Sequence, residues 1–289
     1  MLIETYRRIR HSLVAFVPKF APSLEAAGQF PPIVGTGFVV HESGLIATNQ
    51  HVIEAMTQLN KPDGFAEIPA MAMFFILTEK GMVNVTFDIV GYAVIKTFGP
   101  QQVYYGPEKP DLAFVQLNVT GLLPVKLRPH GAMYEEGEAI ATAGFPMGTD
   151  HLRVPGWIHQ LSPTLQTGTL SAVHPFPCAT PHGFTINVMA QGGASGSPIF
   201  NVQTGEVLGA LYAGVFDLIQ EEDGKQRRAP TNYTYGVASH YIINALPQLL
   251  TNEMCKRAAE DSKPIQQVFE EQQGLNMFTR EKLRVPLPW

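Results

Sequence analysis

Short apolar runs alternate with turn residues along most of the chain. Between about Ser12 and Ala238 the runs are SLVAFVPKF, MFFIL (73–77), VNVTFDIVGYAVI (83–95), DLAFVQL (111–117), EAIATAGF (138–145), TINVMA (185–190), SPIFN (197–201), EVLGALYAG (206–214) and TYGVAS (234–239). Glycine, proline and small polar residues bound nearly all of them, which predicts short β-strands. In GTGFVVHESGLIATNQHVI an apolar segment, the turn His-Glu-Ser-Gly and a second apolar segment follow one another, as in a hairpin. So many strands with no helical segments between them predict an all-β sandwich or barrel and argue against a parallel α/β sheet. The stretch GLLPVKLRP, around Leu122 to Pro129, falls between two strand groups and reads as the seam between two halves. After Ser239 the pattern changes. HYIINALPQLL and NEMCKRAAEDSKPIQQVFEEQQ read as helical, ending near Gly274, and TREKLRVPLPW with its two prolines reads as a loosely packed, extended tail.

Composition narrows the classes further. The 289 residues suffice for one large domain or two of medium size, with a substantial core. With 45% hydrophobic and 16% charged residues, 26 Gly and 23 Pro, the balance is that of a globular chain rich in turns. A net charge of −5 without a lysine–arginine block gives no support to nucleic-acid binding. No window approaches the ~18 apolar residues of a membrane span, so no membrane partner is expected. The opening MLIETYRRIRHSLVAFVPKF has the order of a signal peptide, but SLVAFV is only six residues long and no small-residue cleavage site follows it. A cytoplasmic location is expected, in agreement with only two cysteines, Cys178 and Cys255. Cys178 lies between His174 and His182 in HPFPCATPH, but with so much proline and no second ligand pair the stretch reads as a loop. No metal and no organic cofactor is expected.

Candidate chemistry begins at QGGASGSPIF, residues 191–200, where Ser195 stands among glycines at the head of a strand. A serine hydroxyl is a poor nucleophile until a neighbouring base takes its proton. The glycines permit backbone angles closed to other residues, so that successive N–H groups can converge on one cavity. Such a cavity would bind the oxyanion of a tetrahedral acyl intermediate, with Gly193 and Ser195 as donors. His51 in ATNQHVI stands where a strand ends and a short helical turn begins, and it is the candidate base. Asp111, at the head of DLAFVQL, is the candidate carboxylate to orient it.

GTGFVV, GLIATNQHVI, DLAFVQL, GGASGSPIF, GEVLGALYAG and YGVASHYI, in that order, resemble the chymotrypsin-like (trypsin-like) serine protease superfamily over roughly residues 12 to 250. The likeness is greatest to its bacterial branch, which includes the HtrA-type proteases. It implies two six-stranded antiparallel β-barrels, one over about 12–122 and one over about 130–240, with a C-terminal helical extension. The protease domain would span 1–250 and the helical or extended tail 251–289. It also implies His51 as general base, Asp111 as its orienting carboxylate, Ser195 as nucleophile and Gly193 in the oxyanion hole. Six residues before the nucleophile, Met189 would lie at the base of the primary specificity pocket, walled by Tyr212, Ala213, Gly214 and the neighbourhood of Gly236. The backbone of 212–214 would take the substrate as an added strand. Because methionine cannot select Lys or Arg, cleavage is expected after an uncharged, small or medium apolar residue. With a neutral His51 as base, activity would rise with pH through roughly 6–7.5.

The chain departs from the family's pattern at two places. Ala194 cannot form the salt bridge by which trypsin-type enzymes are activated, and Ser197 replaces a glycine. The interval from His51 to Asp111 is long, and NKPDGFAEIPAMAMFFILTEK and TFGPQQVYYGPEKP read as loops near the cleft. Too little chain follows the barrels for a PDZ domain. Activity conditional on a protein activator, acting on a polypeptide substrate, would suit a cytosolic protease. His240 reads as structural, Met71, Met73 and Met82 as packing, and QEEDGKQRR (220–228) as a solvated hairpin loop. A rival triad, Ser195, Asp217 and His240, has the order of an α/β-hydrolase. That fold needs a helix after the nucleophile, whereas SPIFNVQTGEVLGALYAG reads as strand-turn-strand. The rival from another class is a protease-like binding module that keeps the cleft without using it.

Overall fold

The computed structural model describes residues 1–21, 31–78, 81–95, 109–146, 163–190, 192–220 and 226–273. Helix α1 (Leu2–Arg10) leads into β1 (Leu13–Pro18), β2 (Gly35–His41) and β3 (Leu45–Thr48), followed by helix α2 (Gln50–Thr57). Then come β4 (Ala70–Thr78), β5 (Gly81–Val94), β6 (Ala113–Leu117) and the short β7 (Val119–Thr120). The second half holds β8 (Ala139–Gly144), β9 (Thr164–His174), β10 (Gly183–Ile186), β11 (Pro198–Asn201), β12 (Val207–Gln220) and β13 (Gln226–Ala238). Helices α3 (Ser239–Thr251) and α4 (Glu253–Glu260), strand β14 (Lys263–Pro264) and helix α5 (Ile265–Gln273) complete it. The strands close into two six-stranded antiparallel barrels, in the orders β1-β2-β3-β6-β5-β4 and β10-β13-β12-β11-β8-β9. This is the chymotrypsin-like, all-β architecture expected from the sequence.

The period of two along the strands explains why their sequences are continuously apolar. Val14, Val39, Ile46 and Val115 point into the first barrel, whereas their neighbours Leu13, Phe38, Leu45 and Phe114 join the cluster that contains the second barrel's core. A strand buried on both faces has no polar face to alternate with. The seam is therefore a layer of hydrophobic packing, not a hinge of exposed loops. Its connecting segment is bonded to both sides: Val125 N–H donates to Val39 O (2.9 Å), and Arg128 N–H donates to Val207 O (2.9 Å).

Several elements differ from the sequence reading. The basic opening is helix α1, with Glu4 in its first turn and Arg7, Arg8 and Arg10 in its last, which suits the helix dipole. It docks on the second barrel through Ile9 and through Thr5 Oγ1, which donates to Val202 O. Strand β9 escaped prediction because TLQTGTLSAVH is mostly small and polar, with Leu170 and Val173 as its buried apolar residues. Of the long interval after His51, residues 70–78 are a barrel strand that contains the predicted run MFFIL (73–77), so only the part before it can be a loop, while TFGPQQVYYGPEKP lies mostly outside the described residues. The stretch 220–228 is not simply a loop, since β12 continues to Gln220 and β13 starts at Gln226.

The segment after Ser239 is helical, as its sequence predicts. Helix α3 packs on the second barrel, and α4 crosses to β5 and β6 of the first. Asn252 Oδ1 caps α4 by accepting from Met254 N–H (2.9 Å). Strand β14 adds in parallel to β7, and Ile265 is buried in the first barrel's core cluster. The tail TREKLRVPLPW lies outside the described residues. We expect Ile265→Ala to lower unfolding stability by roughly 2–5 kcal/mol in urea titration, the range for deleting a buried aliphatic side chain. An unchanged midpoint would mean that the strap does not hold the two barrels together.

Candidate active site

Strand β3 ends at Thr48, and the next residues open helix α2 with Asn49 as its N-cap. The first N–H groups of any helix lack intrahelical acceptors. Here the acceptor is not the side chain of Asn49, which makes no cap bond, but the carboxylate of Asp111 from the segment before β6. Asp111 Oδ1 accepts from Gln50 N–H (2.7 Å) and His51 N–H (3.2 Å). Its Oδ2 lies 2.5 Å from His51 Nδ1. A carboxylate can share so short a contact only with an N–H, so the pair holds the proton on Nδ1 and leaves Nε2 free to act as a base. Asn49 Nδ2 donates to the backbone oxygen of Asp111 (2.7 Å) and holds the acid's main chain as well. The structure thus brings two of the predicted residues into direct contact.

Ser195 enters through its backbone. Ser197 N–H donates to Ala194 O (3.0 Å), which closes a β-turn with Ser195 and Gly196 at its centre. Gly196 has φ +84°, the conformation that the third residue of a type II turn requires. A Cβ there would collide with Thr36 O and lie 2.5 Å from Thr48 Oγ1. Barrel one therefore presses directly on the turn. Thr36 N–H donates to Ser195 O (2.9 Å), and Thr36 Oγ1 donates to Gly193 O (2.8 Å). Gly193 itself has φ +90°. Ala194, which replaces a charged residue of the trypsin-type pattern, is buried among apolar residues of the core. No hydrogen bond joins Ser195 Oγ to the His51 ring among the described residues.

The predicted pocket residues divide. Gly214 lies beside Ala190, with a Cβ position 3.7 Å from Ala190 O, so 190 and 214 are in contact. The 188–190 segment is held from behind by Thr234, whose hydroxyl donates to Val188 O and accepts from Ala190 N–H (3.1 Å). Gly236, expected beside the specificity pocket, faces the core instead. Its missing side chain makes room for the Phe184 ring, 2.5 Å from the Cβ position, inside the second barrel. Tyr212 stacks on Tyr235 with centroids 5.8 Å apart. Its hydroxyl is pushed up to about 12 by burial first, then by Tyr235 and by the negative charge of Asp111. His240, read as structural, donates from Nε2–H to Pro181 O (2.8 Å), and burial lowers its pKa. Among the described residues no group of three or more His, Cys, Asp and Glu could hold a metal ion.

Sequence reasoning missed Thr36, Thr48 and Asn49. Asn49 carried a readable signal, an Asn at a strand-to-helix junction. Thr36 carried none, because its function depends on a turn more than 150 residues away. Ser197 had been singled out only as a departure. It is 1% exposed, its Oγ has no partner, and a Cβ on Gly144 would overlap it. The hydroxyl thus fills space left by the absent side chain of Gly144.

Two outcomes follow from this geometry. Gly144→Ala should cost about 1–3 kcal/mol by overpacking, and adding Ser197→Gly should restore most of it. Simple additivity in the double-mutant cycle would show that the two do not share a space. Tyr212 has a folded pKa above its ordinary ~10, so its contribution to stability is complete below pH ~10 and lost as pH rises through about 12. In Tyr212→Phe the fall of stability between pH 10 and 12 should be shallower than in the parent, as read by denaturant titration at each pH.

Among solved structures, the HtrA-type protease AlgW with a tripeptide is similar at a TM-score of 0.50 and 12% identity, over 87% of this chain and 64% of that one. The serine endoprotease from Yersinia pestis is similar at a TM-score of 0.51 and 16% identity, over 87% of this chain and 67% of that one. The chain thus spans about two thirds of the length of these proteins, and at such identities the likeness is one of fold. No curated protein matches it in sequence. The family described as "Trypsin-like peptidase domain" matches residues 35–209, well over half of the chain and the whole interval from the Thr36 strand to β12. By that match and by its two barrels, the chain belongs to the trypsin-like peptidase family and carries a serine peptidase domain.

Proposed function

We propose that the chain is a serine endopeptidase working through an acyl-enzyme, with His51, Asp111 and Ser195 as its triad. The carrying observation is the 2.5 Å contact of Asp111 Oδ2 with His51 Nδ1, made by an acid whose other oxygen already serves the helix amides. His51 Nε2 takes the Ser195 proton as Oγ attacks the scissile carbonyl, then returns it to the leaving amine. Water repeats the cycle in reverse and releases the acid product. The N–H groups of Gly193 and Ser195 stabilise the oxyanion, a contribution typically of about 10²–10³ in rate per donor. Met189, Ala190, Ala213 and Gly214 form the pocket for the residue before the cleaved bond, which favours an uncharged, small or medium apolar side chain. Substrates are polypeptides, and a cytosolic setting with activation by a protein partner remains part of this reading.

A protease-like binding module is the second reading, favoured by the missing bond between Ser195 Oγ and His51. A fluorophosphonate probe separates the two. It should label the wild type at Ser195 and spare both Ser195→Ala and His51→Ala. A folded wild-type chain that stays unlabelled, with and without added cell lysate, would decide for the binding module.

A further inference from the structure

Thr36 is fully buried on β2, and its hydroxyl stands between two backbone groups of the second half of the chain. Phe145 N–H donates to Thr36 Oγ1 (3.2 Å), while the hydroxyl's single hydrogen goes to Gly193 O, 2.8 Å away. Room for the hydroxyl comes from Gly144, where a Cβ would lie 3.0 Å from it. Phe145 is itself anchored. Its ring packs on Phe75 of β4 (centroids 5.1 Å apart), in an apolar cluster with Ala15, Val17 and Ile33. Gly193 is held by less. Among the described residues the bond to Thr36 is the one hydrogen bond that Gly193 makes, at φ +90° and beside the exposed Gly192. Neither its N–H nor that of Ser195 meets an acceptor among the described residues.

Glycines lose more conformational freedom on ordering than other residues, so two in succession keep one orientation only where something holds them. We propose that Thr36, through its hydroxyl, is the positioning residue that keeps the Gly193 N–H aimed at the oxyanion. The tether at Gly193 O fixes the plane of the 193–194 peptide, and φ +90° then sets the direction of the Gly193 N–H. The N–H of Thr36, bonded to Ser195 O (2.9 Å), secures the other end of the same short span. Valine at this position keeps the shape and the N–H bond but leaves Gly193 O and Phe145 N–H without their partner. Serine keeps the hydroxyl and loses only a methyl. Donation to an oxyanion is strongest in the transition state, so loss of aim acts on kcat and spares ground-state binding. This assignment rests on the peptidase reading, because the oxyanion is that of acyl transfer.

The test uses the full chain, a tripeptide p-nitroanilide ending in valine, and a fluorophosphonate probe. Thr36→Val should lower kcat by about 10–10²-fold and leave KM within about twofold of the parent. Thr36→Ser should regain kcat to within about threefold. Labelling of Ser195 by the fluorophosphonate should slow in parallel with kcat, since its phosphonyl oxygen takes the oxyanion's place. The acid limb of the pH profile should keep its midpoint, because neither His51 nor Asp111 bonds to Thr36. Ile265→Ala, which destabilises the strap, should keep the parent's kcat and so separates positioning from stability. Undiminished kcat in a folded Thr36→Val would overturn the proposal. So would a Thr36→Ser as slow as the valine variant, or an equal fall in Ile265→Ala. Where Thr36→Val does not fold, Thr36→Ala carries the same expectations, and where the parent labels without cleaving this anilide, the labelling rates decide. A parent that neither labels nor cleaves, with or without cell lysate, refutes the peptidase reading and this assignment with it. An active parent with an unaffected valine variant refutes the assignment alone.

Discussion

The close contact between Thr36 and the turn at Ser195 is the constraint on which the site depends. One residue of the first barrel gives its N–H to Ser195 O and its hydroxyl to Gly193 O, and its hydroxyl in turn accepts from Phe145 N–H at the end of β8. Its carbonyl accepts from Thr48 Oγ1 (2.7 Å), at the foot of the helix that bears His51. Four segments from both barrels thus meet at one backbone position. The approach is possible only because Gly196 has no side chain and tolerates φ +84°. The barrels are otherwise joined by non-directional apolar packing, which alone would allow them to slide. Directional bonds at Thr36 convert that packed seam into a fixed register between serine and histidine.

Asp111 makes a second economy of the same kind. A half-buried carboxylate gains from partners for both oxygens, and a helix N-terminus needs acceptors for its first amides. Joining the two needs places the acid against the helix that carries His51, with its remaining oxygen directed at Nδ1. Orientation of the imidazole is therefore a by-product of helix capping across 60 residues of chain. The cap that local sequence would have assigned to Asn49 is free for another task, and Asn49 holds the Asp111 backbone instead. Tyr212, stacked on Tyr235, feels the charge of the acid, which helps burial to keep its phenol neutral.

Much of this was legible in the chain because apolar runs bounded by turn residues report strands wherever burial is on both faces. SLVAFV, GLIAT and DLAFVQL could hardly be anything else. The signal failed where a strand buries little. Strand β9 is more than half Thr, Ser, Gly and Gln, and the outer halves of β12 and β13 carry charge and proline in a ribbon largely exposed on both faces. Helix α1 was obscured by its three arginines, which resemble the start of a leader although they complement a helix C-terminus. At the site, residue type and order identified His51, Asp111 and Ser195 as candidates, and the structure joins the first two. Gly236 illustrates the limit: a glycine beside a cleft can make room for substrate or for a core ring, and only the position of Phe184 decides.

Closed barrels remove sheet edges, and this is their main protection against unwanted pairing. Both barrels here are closed, so the free edge of β12 is created by length: it outruns β11 on one side while β13 keeps pace on the other. Two register shifts, between Leu211 and Ala213 and between Gly214 and Phe216, bend the strand as it leaves the barrel. The rigid half anchors the nucleophile turn, and the bent half projects into solvent. Length creates the same kind of edge in the first barrel, where β4 runs on from Met73 to Thr78 beside β5 after its pairing with β1 has ended, so what sets the free edge of β12 apart is its position next to the turn that holds Ser195.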